Sequence, residues 1–251
     1  MRAALPPGYR LARVGPRARL AARDDVADWV AAAIREAGSL HRYALDHAAG
    51  RVAGGRGVVA VLDTPAGRWA VRHYHRGGAA GPVLADRYLR MGTPRPFTEL
   101  AVSAALRARG VATPEVLGAA VYPAGAIYRG DVATAFVPGA ADLARLTLAD
   151  DRWPEAERVT AWRHAGALLA TFFATGAVHA DLNLRNVLVA WPTGAAHLLD
   201  LDRCTRPAAP RAAARAAMLA RFHRSRRKLE QAAGRTVGAA ELAAFAAGLA
   251  A

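Results

Sequence analysis

Apolar positions in the first half of the chain come in short runs separated by turn residues. Two runs, residues 58–62 and 69–74, flank a turn and follow a glycine cluster, which predicts a β-hairpin with a flexible entry. Further strands are predicted at residues 116–122, 127–129 and 132–137. The first half is therefore expected to be rich in β-structure.

Helical spacing marks four other segments. Residues 24–38 and 96–110 each begin with a helix-start signal and close on a glycine. Two longer patterns follow in the second half, residues 155–175 and about 211–233.

This order of elements predicts an α+β fold of two lobes. Residues 1–138 form a β-rich N-terminal lobe, and residues 139–251 form a mainly helical C-terminal lobe. No internal repeat and no serine- or glycine-rich linker separates them, so we interpret them as lobes of one unit.

Composition excludes several classes of protein. The 251 residues are 53% hydrophobic and 22% charged, which allows a large core and does not fit a disordered chain. The single cysteine, Cys204, cannot form an intramolecular disulfide. No apolar stretch has the length of a secretory signal or a membrane span, so neither is expected.

The net charge of +14 is concentrated at the two ends of the chain. Residues 1–23 carry +6, residues 24–200 carry +1, and residues 201–251 carry +7. We expect an anionic membrane surface or another polyanion as the partner of these ends, and no nucleic acid. The alternative is an arginine-rich surface that is simply solvated.

Residues 179–202 contain polar side chains at a spacing that indicates catalysis. His179, Asp181 and Asn186 have the spacing H-x-D-x-x-x-x-N, which is expected by chance only about 0.003 times in this composition. Pairing of residues 187–191 with 196–200 places Asn186 opposite Leu201 and predicts that Asn186 and Asp200 emerge at one end of a hairpin.

These oxygen ligands suit one Mg²⁺ that also takes phosphate oxygens. Asp181 is then left to accept a proton from an attacking hydroxyl. Asp202 either binds a second metal ion or caps the next segment.

The segment resembles the protein-kinase-like fold, with Asp181 at the catalytic-loop position and Asn186 and Asp200 at the metal positions. The resemblance implies a glycine-rich loop and an ion pair that positions the nucleotide. The candidates are Gly54, Gly55, Gly57, Arg72 and Glu99. The chain departs from the pattern because Arg72 stands where lysine is expected and the only lysine is Lys228.

A wider resemblance covers most of the chain. The runs VRHYHRGG from Val71, FVPG from Phe136, HADLN from His179 and LDLDR from Leu199 are similar to bacterial 3-deoxy-D-manno-octulosonic acid (Kdo) kinases. That resemblance implies phosphorylation of the 4-hydroxyl of a Kdo sugar on a lipid A precursor, within lipopolysaccharide biosynthesis.

The same resemblance implies several further features. ATP with Mg²⁺ would be the donor, and Phe136 and Val137 would offer backbone groups to adenine. The protein would lie peripherally at the cytoplasmic face of the inner membrane, with no obligate protein partner.

The C-terminal helical pattern carries a basic face made of Arg221, Arg224, Arg227 and Lys228. The opposite side gathers apolar residues, so this helix either packs on its own lobe with a solvated basic face or contacts acidic lipid or saccharide phosphates. Two other functions stay open. They are a soluble small-molecule kinase of the aminoglycoside or choline type, and a non-catalytic basic binding protein with a kinase-like fold.

Overall fold

The computed structural model describes residues 5–54, 57–75, 86–149, 152–205 and 211–251. These residues form two compact units, one made of residues 1–105 and 115–136 and the other of residues 106–114 and 137–251. No helix in the described ranges is both long enough and apolar enough to cross a membrane.

An antiparallel sheet is the centre of the first unit. Its main path has the strand order β1-β2-β7-β8-β5-β4-β3, and β6 pairs with β8. The strands are β1 Tyr9–Val14, β2 Ala18–Arg23, β3 Gly50–Gly54, β4 Gly57–Thr64, β5 Gly67–His73, β6 Tyr88–Leu89, β7 Val116–Ala124 and β8 Ile127–Ala135.

Two strand predictions change in the structure. The runs expected at residues 127–129 and 132–137 are one strand, β8, because Gly130 and Asp131 pair with Val121 and Ala120 of β7 instead of turning the chain. The basic N-terminal segment was not predicted to be a strand. It forms the β1–β2 hairpin, which extends the sheet at β7.

Helices cover both faces of this sheet. Helices α1 (Ala27–Ala37) and α2 (Leu40–Asp46) bury their apolar residues on the face that carries Trp69 and Val71 of β5. The other face carries Tyr74, which packs with Leu100 of helix α3 (Arg95–Arg107). Because side chains alternate along a strand, Arg72 is directed to the same face as Tyr74 and Glu99.

The second unit is mainly helical and carries two small sheets. The helices are α4 Leu143–Leu148, α5 Glu155–Ala174, α6 Arg211–Ala233 and α7 Ala239–Ala250. The strands are β9 Ala141–Asp142, β10 Val178–His179, β11 Val187–Val189, β12 Ala196–Leu198 and β13 Cys204–Thr205. Strand β11 lies between β12 and β9, and β10 pairs with β13. The patterns at residues 155–175 and 211–233 correspond to α5 and α6, whereas α7 was not predicted.

Glycines let α5 and α7 approach until their backbones touch. A Cβ atom on Gly166 would lie 2.2 Å from the carbonyl oxygen of Phe245, and one on Gly248 would lie 2.0 Å from that of Arg163. Trp162 of α5, Phe222 of α6 and Phe245 of α7 pack in the same core, where the Phe222 and Phe245 rings stack with centroids 5.2 Å apart. This core holds the three helices together.

Residues 106–114 belong to the second unit, in place of the first lobe to which the sequence prediction gave them. The backbone amide of Leu198 donates to the carbonyl of Ala112, at 2.9 Å. Arg109 also donates to the carbonyl of Thr175, at 2.8 Å. These bonds hold the segment after α3 to strand β12 and to the end of α5.

Candidate active site

A buried histidine connects the two parts of the candidate catalytic segment. His179 is 1% exposed, and its Nδ1 accepts from the backbone N–H of Asp181 at 3.2 Å. Its Nε2 donates to the carbonyl of Leu199 at 2.9 Å. Burial lowers the pKa of His179, so the ring is neutral at pH 7 and fits this pair of bonds. His179 therefore has a structural role: it joins the loop of Asp181 to Leu199, between the end of strand β12 and Asp200.

Two asparagine side chains hold the backbone at Asp181. The Nδ2 atoms of Asn183 and Asn186 each donate to the carbonyl oxygen of Asp181, both at 2.8 Å. The Asn183 Oδ1 atom also accepts from the amide of Arg185, which starts the 3₁₀ helix at residues 184–186. Within the described ranges, no side chain hydrogen-bonds the half-buried carboxylate of Asp181.

The hairpin after this loop has a different register from the one predicted. Val187 pairs with Leu198, and the amide of Leu199 donates to the carbonyl of Asn186 at 2.9 Å, so Asn186 lies opposite Leu199 and the prediction of Leu201 is wrong by two residues. The turn has the predicted length of four residues but lies one residue earlier in the chain, at residues 191–194, and is closed by the bond from the Ala190 amide to the Ala195 carbonyl. A shift of two residues keeps every side chain on its face of the strand, so Asn186 and Asp200 still emerge at one end of the hairpin.

Asp200 has a left-handed backbone conformation, with φ 60° and ψ 55°. It is the one non-glycine residue with positive φ in the part of the chain that the structure describes. Such a conformation costs about 1–3 kcal/mol, and strained residues of this kind cluster at functional sites. The half-buried carboxylate of Asp200 lies directly after the strand that Asn186 faces.

The side chains at this end of the hairpin fit a magnesium ion. The Nδ2 atom of Asn186 donates to the carbonyl of Asp181, which leaves its Oδ1 atom as a neutral oxygen ligand at the same end of the hairpin as Asp200. Hard oxygen atoms in small number suit Mg²⁺, which keeps waters and takes phosphate oxygens. Among the described residues, no group of three or more His, Cys, Asp or Glu side chains is placed to hold a metal ion.

Asp202 has surroundings unlike those of Asp200. It is 8% exposed and lies in the 3₁₀ helix Leu201–Arg203, next to the fully buried Leu201. Its role as a second metal ligand stays a prediction.

The structure brings Arg72 and Glu99 together in the first unit. The Arg72 Nη2 atom lies 2.6 Å from Oε1 and 2.5 Å from Oε2 of Glu99, and the hydroxyl of Tyr74 also donates to Oε2. The Glu99 side chain is 7% exposed, so this is not a surface ion pair. One guanidinium nitrogen serves both carboxylate oxygens, in place of two parallel N–H bonds.

The glycine cluster lies at the tip of the β3–β4 hairpin. Gly54 pairs with Gly57, while Gly55 lies outside the described residues. A Cβ atom on Gly57 would lie 2.8 Å from the exposed ring of His75, so a side chain there would displace that ring.

Phe136 and Val137 lie where the chain passes from the first unit to the second. The amide of Phe136 donates to the carbonyl of Arg68 at 2.9 Å. That N–H is therefore not a donor for adenine, and Val137 remains the candidate for this contact.

One polar network was missed by the sequence analysis. His73 contacts Asp131 Oδ1 through Nδ1 at 2.5 Å and Asp86 Oδ2 through Nε2 at 3.2 Å. Burial lowers the pKa of His73, but the two carboxylates together raise it above its usual value. Asp131 is fully buried and also accepts from the backbone amide of His41 and the hydroxyl of Tyr122.

The signal for this network was present in the pairing of strands. His73 and Asp131 are direct partners in the β5–β8 register, although 58 residues separate them in the chain. Pairing β5 with β8 at the sequence level would have placed an acid opposite the histidine.

Comparison with solved structures shows the fold. The chain aligns with WaaP, solved in complex with acyl carrier protein, with a TM-score of 0.53 and 14% identity over 96% of this chain and 88% of the other. The predicted α+β, protein-kinase-like fold is thereby confirmed.

Comparison with curated proteins finds relatives named 3-deoxy-D-manno-octulosonic acid kinase. The chain is 36% identical to the protein of Stenotrophomonas maltophilia strain R551-3 over 152 residues, which are 60% of this chain and 58% of that protein. It is 35% identical to the protein of Xanthomonas campestris pv. campestris strain B100 over 178 residues, 70% of this chain and 68% of that protein. The match thus spans less than two thirds of the Stenotrophomonas relative.

The family comparison covers most of the chain, including the candidate residues of each unit. Residues 29–243 match the model of the lipopolysaccharide kinase (Kdo/WaaP) family. This range contains Arg72 and Glu99 in the first unit and Asp181, Asn186 and Asp200 in the second. The chain belongs to the lipopolysaccharide kinase (Kdo/WaaP) family.

Proposed function

We propose that the protein transfers the γ-phosphoryl group of ATP to a hydroxyl of a Kdo sugar. The observation that carries this proposal is the hydrogen-bonded loop of Asp181, held by His179, Asn183 and Asn186 and joined to the hairpin that presents Asp200. Relatives named Kdo kinase supply the substrate class. The finer assignment is the 4-hydroxyl of a Kdo residue on a lipid A precursor.

Asp181 would act as the base. Its backbone is held by three hydrogen bonds while its carboxylate has no bonded side chain among the described residues, so an acceptor hydroxyl can donate to it. The hydroxyl oxygen forms a bond to the γ-phosphorus, the bond to the β-phosphate oxygen breaks, and ADP leaves. The proton passes to Asp181.

Charge neutralisation would come from the metal position. Asn186 Oδ1 and Asp200 are the residues that would hold Mg²⁺, with Asp202 as a further candidate. When bound, Mg²⁺ supplies positive charge against the charge that the phosphoryl group carries during transfer.

The first unit would position the nucleotide. The Glu99 carboxylate, which accepts from the hydroxyl of Tyr74, orients the guanidinium of Arg72. Arg72 would then bind phosphate oxygens in place of the lysine of the protein-kinase-like pattern. The glycines at the β3–β4 tip would approach the phosphates, and Val137 would contact adenine.

The basic face of α6 would hold the protein peripherally at the cytoplasmic side of the inner membrane. Arg221, Arg224, Arg227 and Lys228 are exposed, while Met218 and Phe222 on the other side are buried. Arg226 is not part of this face because it pairs with Glu230 at 2.6 Å. A carrier protein, as in the WaaP complex, is the alternative partner of this face.

The decisive experiment measures phosphate transfer from labelled ATP to a panel of acceptors. Kdo-bearing lipid A precursor, free Kdo and an aminoglycoside are incubated with the purified protein and Mg²⁺, and the phosphate is located on the product. We expect transfer to the Kdo-bearing lipid. Transfer to the aminoglycoside alone would support a soluble small-molecule kinase, and no turnover with any acceptor would support a non-catalytic protein.

Asp181→Asn is expected to lower kcat by about 100-fold or more, because general-base catalysis is worth 10²–10⁴-fold. Asp24→Asn makes the same chemical change at an exposed residue of the first unit and should leave kcat unchanged. Near-normal transfer by Asp181→Asn contradicts the assignment of the base.

A further inference from the structure

The first unit contains a groove lined by arginines. Its volume is about 600 Å³, and it lies between the β1–β2 turn, the end of α1 and the tip of the β7–β8 hairpin. Four arginines line it, Arg17, Arg35, Arg87 and Arg129. No aspartate or glutamate is among the described residues that form its walls. We call this feature the arginine groove.

Two of these guanidinium groups are available to a ligand. Arg17 and Arg35 are exposed, and neither has a carboxylate within ion-pair distance in the part of the chain that the structure covers. Arg129 differs, since Asp86 binds it at 3.1 Å. Guanidinium groups that line one groove repel one another, so an anionic ligand at the groove would be stabilising.

Exposed apolar side chains continue from the groove. Leu89 is 56% exposed and pairs across the sheet with Ile127, which lines the groove. Met91 follows and is 81% exposed, beside the turn at Gly125, whose carbonyl accepts from the Arg90 side chain at 3.0 Å. Apolar side chains next to a cationic cluster are typical of surfaces that bind the boundary between lipid headgroups and acyl chains.

We propose that the arginine groove and the Leu89–Met91 edge form a docking surface for an anionic lipid bilayer. Arg17 and Arg35 contact headgroup phosphates, and Leu89 and Met91 enter the acyl boundary. Charge complementarity together with the adjoining apolar edge favours a bilayer over a soluble polyanion, which would use the arginines alone. This surface is separate from α6, and its assignment does not depend on which sugar is phosphorylated.

Vesicle binding without ATP tests this proposal. Vesicles of phosphatidylcholine with and without phosphatidylglycerol are sedimented with the full chain. The variant Arg17→Ala/Arg35→Ala should bind the anionic vesicles about 30-fold more weakly, since each basic residue near the surface contributes about fivefold. Arg13→Ala/Arg51→Ala removes two exposed charges outside the groove and is the matched control. An equal loss in the two pairs overturns the proposal.

A second pair of variants tests the bilayer as the occupant. Leu89→Ser/Met91→Ser should weaken vesicle binding about tenfold through lost apolar burial, and should leave binding to heparin unchanged. Unchanged vesicle binding by this variant, or full release of wild-type protein by inorganic phosphate, overturns bilayer docking. Phosphate transfer to Kdo-bearing lipid dispersed in detergent micelles is measured in parallel, so that failure of the proposed function and failure of the docking surface are distinguishable.

Discussion

Asp181 is oriented through its backbone. Its N–H donates to His179, and its carbonyl accepts from Asn183 and Asn186, so the carboxylate direction follows from three contacts that do not involve the carboxylate itself. An acid that must accept a proton cannot have its oxygens occupied by neighbouring donors. Asn183, which no spacing rule marks as functional, is therefore a positioning residue for Asp181.

Protonated His73 should stabilise the fold at low pH. The carboxylates of Asp131 and Asp86 raise its pKa above the ordinary value. As the pH rises, the folded state therefore keeps its proton up to a higher pH than the unfolded state does. The stabilisation is fully present below the unfolded pKa of about 6.5 and is lost as the pH rises through the folded value.

The measurement is urea unfolding of wild type and His73→Asn from pH 5.5 to pH 9. The difference in unfolding free energy between the two proteins should be largest at the acidic end and should shrink as the pH rises. His75 and His41, whose rings lie 5.1 and 5.6 Å from that of His73, are present in both proteins. Their own contributions to the unfolding free energy therefore cancel to first order in the difference. A difference that grows with pH would contradict the assignment.

The spacing of polar residues predicted Asp181, Asn186 and Asp200 as site candidates, because each follows from a local pattern, whereas the Arg72–Glu99 pair was expected from the resemblance to the protein-kinase-like fold. The His73–Asp131 pair could not be found in this way, because it depends on which strands become neighbours in the sheet. Likewise, nothing local shows that Asp200 takes a left-handed backbone conformation.

At the scale of elements, the crossing of α5 and α7 should tolerate no added side chain. Gly248→Ala places a Cβ atom 2.0 Å from the carbonyl of Arg163, so one of the helices must move. We expect the free energy of unfolding to fall by about 1–3 kcal/mol or more, as is usual for overpacking in a core.

Chemical denaturation with a matched variant checks this prediction. Gly50→Ala adds the same methyl group in β3, where the nearest atom is 3.9 Å away, and should change stability by much less. Equal effects of the two substitutions would show that the helix crossing adapts without cost.

Strong local signals predicted the helices α1, α3, α5 and α6 and the strands of the β4–β5, β7–β8 and β11–β12 pairs, and several of the misses have physical causes. Helix α7 consists largely of alanine, so its sequence shows little contrast between a buried and an exposed face. The apolar residues of the β1–β2 hairpin are interrupted by arginines at irregular spacing, and this basic composition concealed a strand pattern. The β11–β12 register depended on where the four-residue turn lies, which hydrophobicity does not encode.

At the scale of the whole molecule, most of the charge at the two ends lies on regular elements of the described chain. The N-terminal charge lies mostly on the β1–β2 hairpin, and the C-terminal charge lies largely on α6. These elements set which face each arginine belongs to, so particular faces rather than the sum of +14 should govern association with an anionic surface.

Replacing Arg221, Arg224, Arg227 and Lys228 together by Gln should weaken binding to anionic vesicles by 100-fold or more, because each basic residue near such a surface contributes about 1 kcal/mol. The effect should diminish as salt is added. Vesicle sedimentation over a range of salt concentrations measures both quantities.

The control keeps the charge of α6 and changes its chemistry. Replacing the three arginines by Lys should retain most of the binding, whereas a loss as large as that of the Gln variant would indicate specific guanidinium contacts. Unchanged vesicle binding by the Gln variant would indicate that the basic face of α6 is simply solvated.

The placement of residues 106–114 affects how the chain folds during synthesis and where it can be cut into fragments. This segment interrupts the first unit, so that unit is complete only once Phe136 has left the ribosome. The segment itself can make its hydrogen bonds only after strand β12 and the end of α5 have been synthesised. Two separately expressed halves cut near residue 138 would leave the Ala112 carbonyl and the Arg109 side chain without their partners. Complementation of the two halves therefore requires the C-terminal fragment to capture a segment supplied by the N-terminal one.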